Sequence, residues 1–443
     1  LDYDPDLMKA ALLPLFLLAA LAVRVAAAPA PGGATSPVPS AAAGTPLESP
    51  AEERVEIPKD QTRQKRYAHG RYALSLAGSA WGFLVLVFLL RSRLSARMRD
   101  EARRWVQRPH HVVFVYFALF VVVTSLLSLP LELYGGYFRE KEYGFAHQTL
   151  AQWFGDWAKG LGIGIVLGGI FAVTLYAVIR RFPRRYWLIG AAVAMAFTIF
   201  AVAVEPVFIA PLFNKFTSLA PGPLKTRLLD LAHAQGIPAG DVYEVDASRQ
   251  SGHTNAYVAG LLGTERIVIY DTLLKTQTPR EIVAVMGHEM GHYVLRHLWK
   301  GLAFGGALIL LGAWLVRKLY PKIAADRGER WGIGGISDVA GLPLVLLIVS
   351  VFSFFAAPAA NAFSRWEEHQ ADAFSLDVVR DPDALAAGFA RFNTVDLSEY
   401  DPPRWIELWF YTHPSLQHRI EFCQRWKREH AAPEIPGAKG ESS

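Results

Sequence analysis

The chain is 443 residues long, enough for two or three modules, and 52% of it is hydrophobic, slightly above the usual globular range. A single cysteine, Cys423, excludes an intrachain disulfide and any cysteine-based zinc site. The net charge of +5 is carried largely by short loops between apolar runs, a membrane-topology signal, so no nucleic-acid partner is expected.

Residues 1–28 read as a secretory signal: Met8-Lys9, an apolar run over 10–23, and Ala26-Ala27-Ala28 as an A-x-A cleavage site. Residues 1–7, which contain no Met, precede it as a start-site artefact or an alternative start. Pro14 and Arg24 shorten the apolar run, which favours a cleaved signal over an uncleaved first membrane anchor. Residues 29–70 are rich in Ala, Pro, Gly and Ser without periodicity and read as a disordered linker. Apolar stretches follow at 73–90, 112–131, 161–179 and 187–204, a four-span region within 71–208. Each is about the length that crosses roughly 30 Å of hydrocarbon as a helix. Two further spans are expected at 301–316 and 342–363, and an uncleaved segment 10–23 would make seven crossings in place of six.

Loop charge assigns the sides. Residues 91–108, 180–185 and 317–330 are rich in arginine, and with six spans all three fall on one side, the cytoplasmic one by the positive-inside rule. The linker, the 132–159 loop, residues 205–300 and the C-terminal segment then face away from the cytoplasm of a bacterial inner membrane. A cleaved signal would deliver the linker to that same face.

Residues 209–300 form a soluble insertion. A helix is expected over 221–235, ending at Gly236-Ile237-Pro238. Short β-type runs occupy 242–245, 256–259 and 267–270, the last two joined by the turn 260–264, so a small sheet is expected. The next helix starts with Thr278 as N-cap, Pro279 at the first position and Glu281 completing a capping box. It carries His288-Glu289-Met290-Gly291-His292. Imidazoles at i and i+4 share a helical face and reach one ion, and Glu289 lies beside the open coordination position. Chance produces H-E-x-x-H in on the order of one such chain in fifty. No strong breaker precedes Gly301, so this helix is expected to run on into the membrane.

A catalytic zinc usually takes three protein ligands and a water, and the third His of the metzincin pattern is absent. Residues 364–428 offer a carboxylate instead. Glu368 and Asp372 are four apart on one helical face; one would bind the ion while the other fixes the tautomer of a ligand imidazole. Glu367 reads as part of a solvated face. The span ending at 363 returns the chain to the membrane face from which the H-E-x-x-H helix enters, so the two segments meet without a long loop. The tail, 429–443, reads as disordered. The fold class is mostly α: a multi-pass membrane helical bundle with a metalloprotease domain that contains a small β-sheet and holds one Zn2+.

Several stretches, in order, resemble the type I CAAX prenyl proteases, membrane-integral zinc metallopeptidases of the gluzincin kind. They are Glu140-Lys141-Glu142-Tyr143-Gly144-Phe145, Ile209-Ala210-Pro211-Leu212-Phe213-Asn214-Lys215-Phe216, His253-Thr254-Asn255-Ala256-Tyr257 and Arg266 through Leu274, then the H-E-x-x-H helix, Arg365 to Phe374, and Tyr411-Thr412-His413-Pro414 through Arg419. The resemblance spans residues 74 to 419. It implies His288, His292 and Glu368 as ligands, Glu289 as catalytic base and Asp372 as an orienting acid or proton donor. It also implies that Asn255 and His413 face the substrate, that Arg365 and Arg419 support the ligand set, and that the bundle encloses a water-filled chamber. Eukaryotic members present the site to the cytosol, whereas the loop arginines here place it on the other face. That placement weakens the transfer of prenylated substrates, since prenylation is a cytosolic modification.

The expected reaction is peptide-bond hydrolysis, with the substrate backbone pairing as an added strand along 255–259. Two alternatives are a broad-specificity membrane-protein quality-control protease with the same site, and a zinc-stabilised scaffold without turnover. A site-two-type intramembrane protease is disfavoured by the large polar insertion before H-E-x-x-H.

Overall fold

The computed structural model of the chain describes residues 56–259 and 265–431. The signal-like segment, most of the linker, the 260–264 turn and the tail beyond 431 lie outside the described residues. Six helices are long and apolar enough to cross a membrane: Thr62–Arg91, Pro109–Tyr143, Leu150–Arg181, Tyr186–Leu212, His297–Trp331 and Val339–Val379.

The first helix, α1 (Thr62–Arg91), begins inside the stretch whose composition suggested a linker, so residues 62–70 are helical. Its ordering partners are distant in sequence. Gln64 donates to the Asn393 carbonyl at 3.3 Å and the Tyr72 hydroxyl donates to Glu399 at 2.8 Å, across 329 and 327 positions of chain. Local composition cannot register such contacts.

A basic connecting helix, α2 (Leu94–Trp105), leads to α3 (Pro109–Leu133), which passes through a π-helical turn at Tyr134–Phe138 into α4 (Arg139–Tyr143). Spans α5 (Leu150–Arg181) and α6 (Tyr186–Val204) follow. Glycines let these spans approach closely, as is common for membrane helices. At Gly169 an added Cβ would lie 2.5 Å from the Phe114 ring.

After α6 the chain builds a four-stranded sheet of order β1-β2-β4-β3. Strand β1 (Phe216–Ser218), too short to read from the sequence, pairs antiparallel with β2 (Val242–Val245). Strand β3 (Ala256–Ala259) pairs antiparallel with β4 (Arg266–Tyr270), Tyr257 opposite Val268, while β2 and β4 run parallel. That leaves β3 at an edge of the sheet among the described strands. Helix α7 (Pro223–Ala234) and, after the short α8 (Asp271–Thr276), the H-E-x-x-H helix α9 (Pro279–Val294) share one hydrophobic core with the sheet. Ala256, Val258, Ile267 and Ile269 meet Ile282, Val283, Met286 and Met290 there, each at most 5% exposed.

Helix α9 starts as its sequence indicated. The Thr278 amide donates to Glu281 at 2.8 Å and the Glu281 amide donates back to the Thr278 hydroxyl at 3.4 Å. It does not run on into the membrane. The helix ends at Val294, Arg296 takes φ +61°, and a new helix, α10 (His297–Trp331), begins. The turn swings the buried His297 back onto His292, Nδ1 to Nδ1 at 2.9 Å, a contact that an unbroken helix would lose because residues five apart do not share a face.

The returning span, α11 (Leu342–Val379), is one continuous helix that carries Glu368 and Asp372 beyond its apolar portion. Helices α12 (Pro382–Thr394), α13 (Arg404–Phe410) and α14 (Leu416–Glu429) wrap the site. Helices α9 and α11 pack face to face because Gly287 and Gly291 carry no side chains. A Cβ at Gly287 would lie 2.6 Å from Val379 and 2.9 Å from the Ser375 hydroxyl, and one at Gly291 3.2 Å from the Ala371 Cα. The Ser375 hydroxyl closes the contact by donating to the Ala284 carbonyl at 2.6 Å. Gly287→Leu is therefore expected to wedge the helices apart, costing about 1–3 kcal/mol or more and lowering metal affinity in parallel. Thermal unfolding with and without added metal would check both.

The arginine-rich connections gather at one end of the bundle. Arg93 donates to the Arg330 carbonyl at 2.8 Å, Arg99 meets Asp338 at 2.6 Å, and the Arg317 guanidinium lies 5.2 Å above the Trp187 ring. Helix α10 begins at His297 beside the H-E-x-x-H helix and ends at Trp331, so this basic end is the far end of that span.

Candidate active site

Among the described residues, His288, His292 and Glu368 form a group of the kind that holds a metal ion. The two Nε2 atoms are 3.1 Å apart, and Glu368 places its two oxygens 3.2 Å from His288 Nε2 and 3.4 Å from His292 Nε2. Two imidazoles and a carboxylate so close, and so buried, converge on one point that a small cation fits. The Glu368 Oε2 atom, buried without a well-aligned donor, points to the same occupant. Local charge agrees. Burial pulls the His288 imidazole down, but Glu368 and Asp372 outweigh it and push it up to about 9. Burial dominates at His292 and lowers it to about 4. The two carboxylates thus favour positive charge beside His288.

Three groups orient this set. Asp372 accepts from His288 Nδ1 at 2.8 Å, fixing the ring so that Nε2 faces the ligand point. Arg419 grips the same carboxylate with two hydrogen bonds of 2.9 and 2.5 Å and lies 3.9 Å above the Phe389 ring. His297 backs His292 from the opposite side. Asp372 is 1% exposed behind His288.

Glu289 is partly buried on α9 and is not among the clustered ligand atoms. Burial raises its carboxyl to about 7, with the His288 charge pulling the other way. His413 reaches the centre from the C-terminal segment, its Nε2 3.3 Å from Glu368 Oε2 and its Nδ1 2.9 Å from the Thr412 hydroxyl. Arg365 holds that segment, donating to the Glu407 and Tyr411 carbonyls at 2.8 and 2.6 Å. Asn255 is buried at the head of edge strand β3, where its side-chain oxygen accepts from the Ala256 amide at 2.8 Å.

Two features went unread in the sequence. His297 carries no signal of its role, because its approach to His292 depends on the backbone turn at Arg296. Glu367, expected on a solvated face, is buried.

Comparison with known proteins separates the two halves. Residues 219–427 match the family model for peptidase family M48, and residues 47–215 match one described as the CAAX prenyl protease N-terminal region with five membrane helices. The decisive likeness extends over nearly the whole chain: an uncharacterized metalloprotease of Bacillus subtilis, YhfN, is 32% identical over 381 residues, 85% of this chain and 88% of the relative. The chain belongs to peptidase family M48. A CAAX prenyl protease 1 homolog of Oryza sativa is 29% identical over 309 residues, covering 69% of this chain and 71% of that one. CAAX prenyl protease 1 of Saccharomyces cerevisiae is 28% identical over 324 residues, with 69% and 70% covered. The crystal structure of Ste24p from S. mikatae superposes with a TM-score of 0.73 at 20% identity over 95% of this chain and 98% of that one, a likeness of fold.

The chain is thus a multi-pass membrane metalloprotease of the M48 family, with the mostly helical architecture and small sheet that its sequence indicated. Within the stretch that matches the N-terminal family model, four of the six candidate spans lie among the described residues.

Proposed function

We propose that this M48 protease is a zinc endopeptidase in which His288, His292 and Glu368 hold the ion and Glu289 is the base. The observation that carries the reading is the convergence of the ligand atoms: the two imidazole Nε2 atoms stand 3.1 Å apart, and Glu368 brings one carboxylate oxygen to 3.2 Å from the first and the other to 3.4 Å from the second. One ligand atom from each of the three residues lies within 4.8 Å of the others, as a small tetrahedral ion with two His and one carboxylate ligand requires. Bound zinc supplies a Lewis acid that lowers the pKa of water towards about 7 and polarises the scissile carbonyl. Glu289 takes a proton from the attacking water and returns it to the leaving amine. His413 and Asn255 donate to the developing oxyanion. The substrate lies as an added strand along β3, whose outer edge is unpaired among the described strands, so its backbone supplies affinity with little sequence preference. Asp372 and Arg419 hold His288 in its ligating tautomer. Asp372→Asn is accordingly expected to weaken zinc binding about 10–100-fold, read by competition with a chromophoric chelator.

The active site is proposed to face away from the cytoplasm. Residues 91–108, 180–185 and 317–330 together carry many more arginines and lysines than acidic residues, and they lie at the end of the bundle remote from the ligands. Cysteine accessibility at position 97 against a position in α14, measured in intact cells and in lysed ones, tests this; equal labelling from the outside would overturn it. The proposed substrates are membrane-associated peptides or proteins. Relatives named as CAAX prenyl proteases raise prenylated substrates; a site facing away from the cytoplasm weakens that transfer and leaves a broad, quality-control specificity as the alternative. Cleavage of matched prenylated and unprenylated peptides separates the two.

A further inference from the structure

A second buried ionic cluster lies apart from the metal ligands, just before the edge strand. His253 stacks on Phe145 with ring centroids 3.9 Å apart and is held at both nitrogens: Nε2 lies 3.1 Å from Glu140 and Nδ1 3.4 Å from Asp396. The Tyr67 hydroxyl, 3.1 Å from His253 Nε2, donates to Glu140 at 2.9 Å, and Arg139 meets the other Glu140 oxygen at 2.9 Å. Asp396 also accepts from the Thr254 amide at 2.8 Å and its hydroxyl at 2.7 Å, and Thr272 donates to the His253 carbonyl at 2.8 Å. The cluster therefore ties four separate pieces to the residues that open β3: span α1 through Tyr67, helix α4 through Glu140, helix α8 through Thr272, and the chain after α12 through Asp396.

We propose that His253 is a positioning residue: its imidazolium, gripped between Glu140 and Asp396, sets the edge strand Asn255–Ala259 relative to the metal ligands and so governs substrate binding. Both ring nitrogens must donate for the grip to close, because both partners are carboxylates. The charged and titratable groups around the ring are Tyr67 on α1, Arg139 and Glu140 on α4, Asp396 after α12, and His147 beyond Gly252. Burial pulls the ring down, but Asp396 and Glu140 together outweigh it and push it up to about 9. The grip holds below that pH and opens as pH rises through it. Strand placement in turn sets affinity, since in strand addition the main-chain hydrogen bonds along the edge supply the binding energy.

This inference rests on the reading that Asn255 and β3 receive the substrate, so its test separates the two. The full-length protein is assayed with a quenched fluorescent peptide that the wild type cleaves. His253→Gln is expected to raise KM about ten- to hundredfold, to change kcat by less than about threefold, to keep the wild-type metal content, and to lack the alkaline limb of kcat/KM near pH 9. Asp396→Asn, which keeps the ring, is expected to move that limb down by about one to three pH units. Asn255→Ala is expected to impair cleavage, and the double variant His253→Gln/Asn255→Ala to lose less than the product of the two single effects. Unchanged KM and an unchanged alkaline limb in His253→Gln would overturn the proposal, as would a loss of metal or an equal loss of kcat and kcat/KM. A raised KM in His253→Gln beside wild-type kinetics in Asn255→Ala would instead sink the Asn255 reading and leave the clamp standing.

Discussion

Replacing Glu289 with glutamine is expected to leave the metal content of the protein unchanged and to lower kcat by about 10²–10⁴-fold. Glutamine has nearly the same shape, and Glu289 is not one of the clustered ligand atoms, so the ion keeps all three of its protein ligands. What is lost is a carboxylate that accepts a proton from water and hands it on. The wild-type carboxyl, raised to about 7 by burial, must be ionised to act, so activity is expected to fall as pH drops below neutrality. The residual activity of the glutamine variant should show no such acid limb. Metal analysis of the purified protein, with single-turnover cleavage across pH, reads both results. Wild-type turnover in this variant would refute the base assignment.

Glu368→Ala is expected to empty the site and abolish hydrolysis together. One of three protein ligands carries roughly a third of a binding free energy of about 10–16 kcal/mol for structural zinc, so affinity should fall by about 10²–10⁴-fold. The loss should exceed that of Asp372→Asn, because Glu368 touches the ligand point whereas Asp372 acts through the His288 ring. The variant should fold, since its buried neighbours Asp372 and Arg419 still satisfy each other. Full zinc occupancy and wild-type cleavage by the alanine variant would show that the two helices do not share an ion.

Much of this molecule was legible one stretch at a time. Six apolar runs, an H-E-x-x-H pair with its capping box, and a Glu–Asp pair four residues apart are periodic or contiguous patterns, and helical geometry converts them directly into spans and shared faces. Strand Phe216–Ser218 was not legible, because three residues carry no period and are ordered only by pairing with Val242–Val245. The same reason explains residues 62–70, whose polar composition matches a linker until Asn393 and Glu399 are brought against that helix.

By itself, then, the sequence placed six spans that recur among the described residues, the arginine-rich connections between them, and two histidines and two carboxylates as candidate ligands, since each of these depends on residues within a few turns of one another. Only the tertiary structure decided which carboxylate reaches the ligand point and which one backs His288, that the chain breaks at Arg296 to bring His297 onto His292, and that His253 is locked between Glu140 and Asp396. Those outcomes depend on contacts between segments five to more than one hundred positions apart, whose energies appear only once the elements have packed.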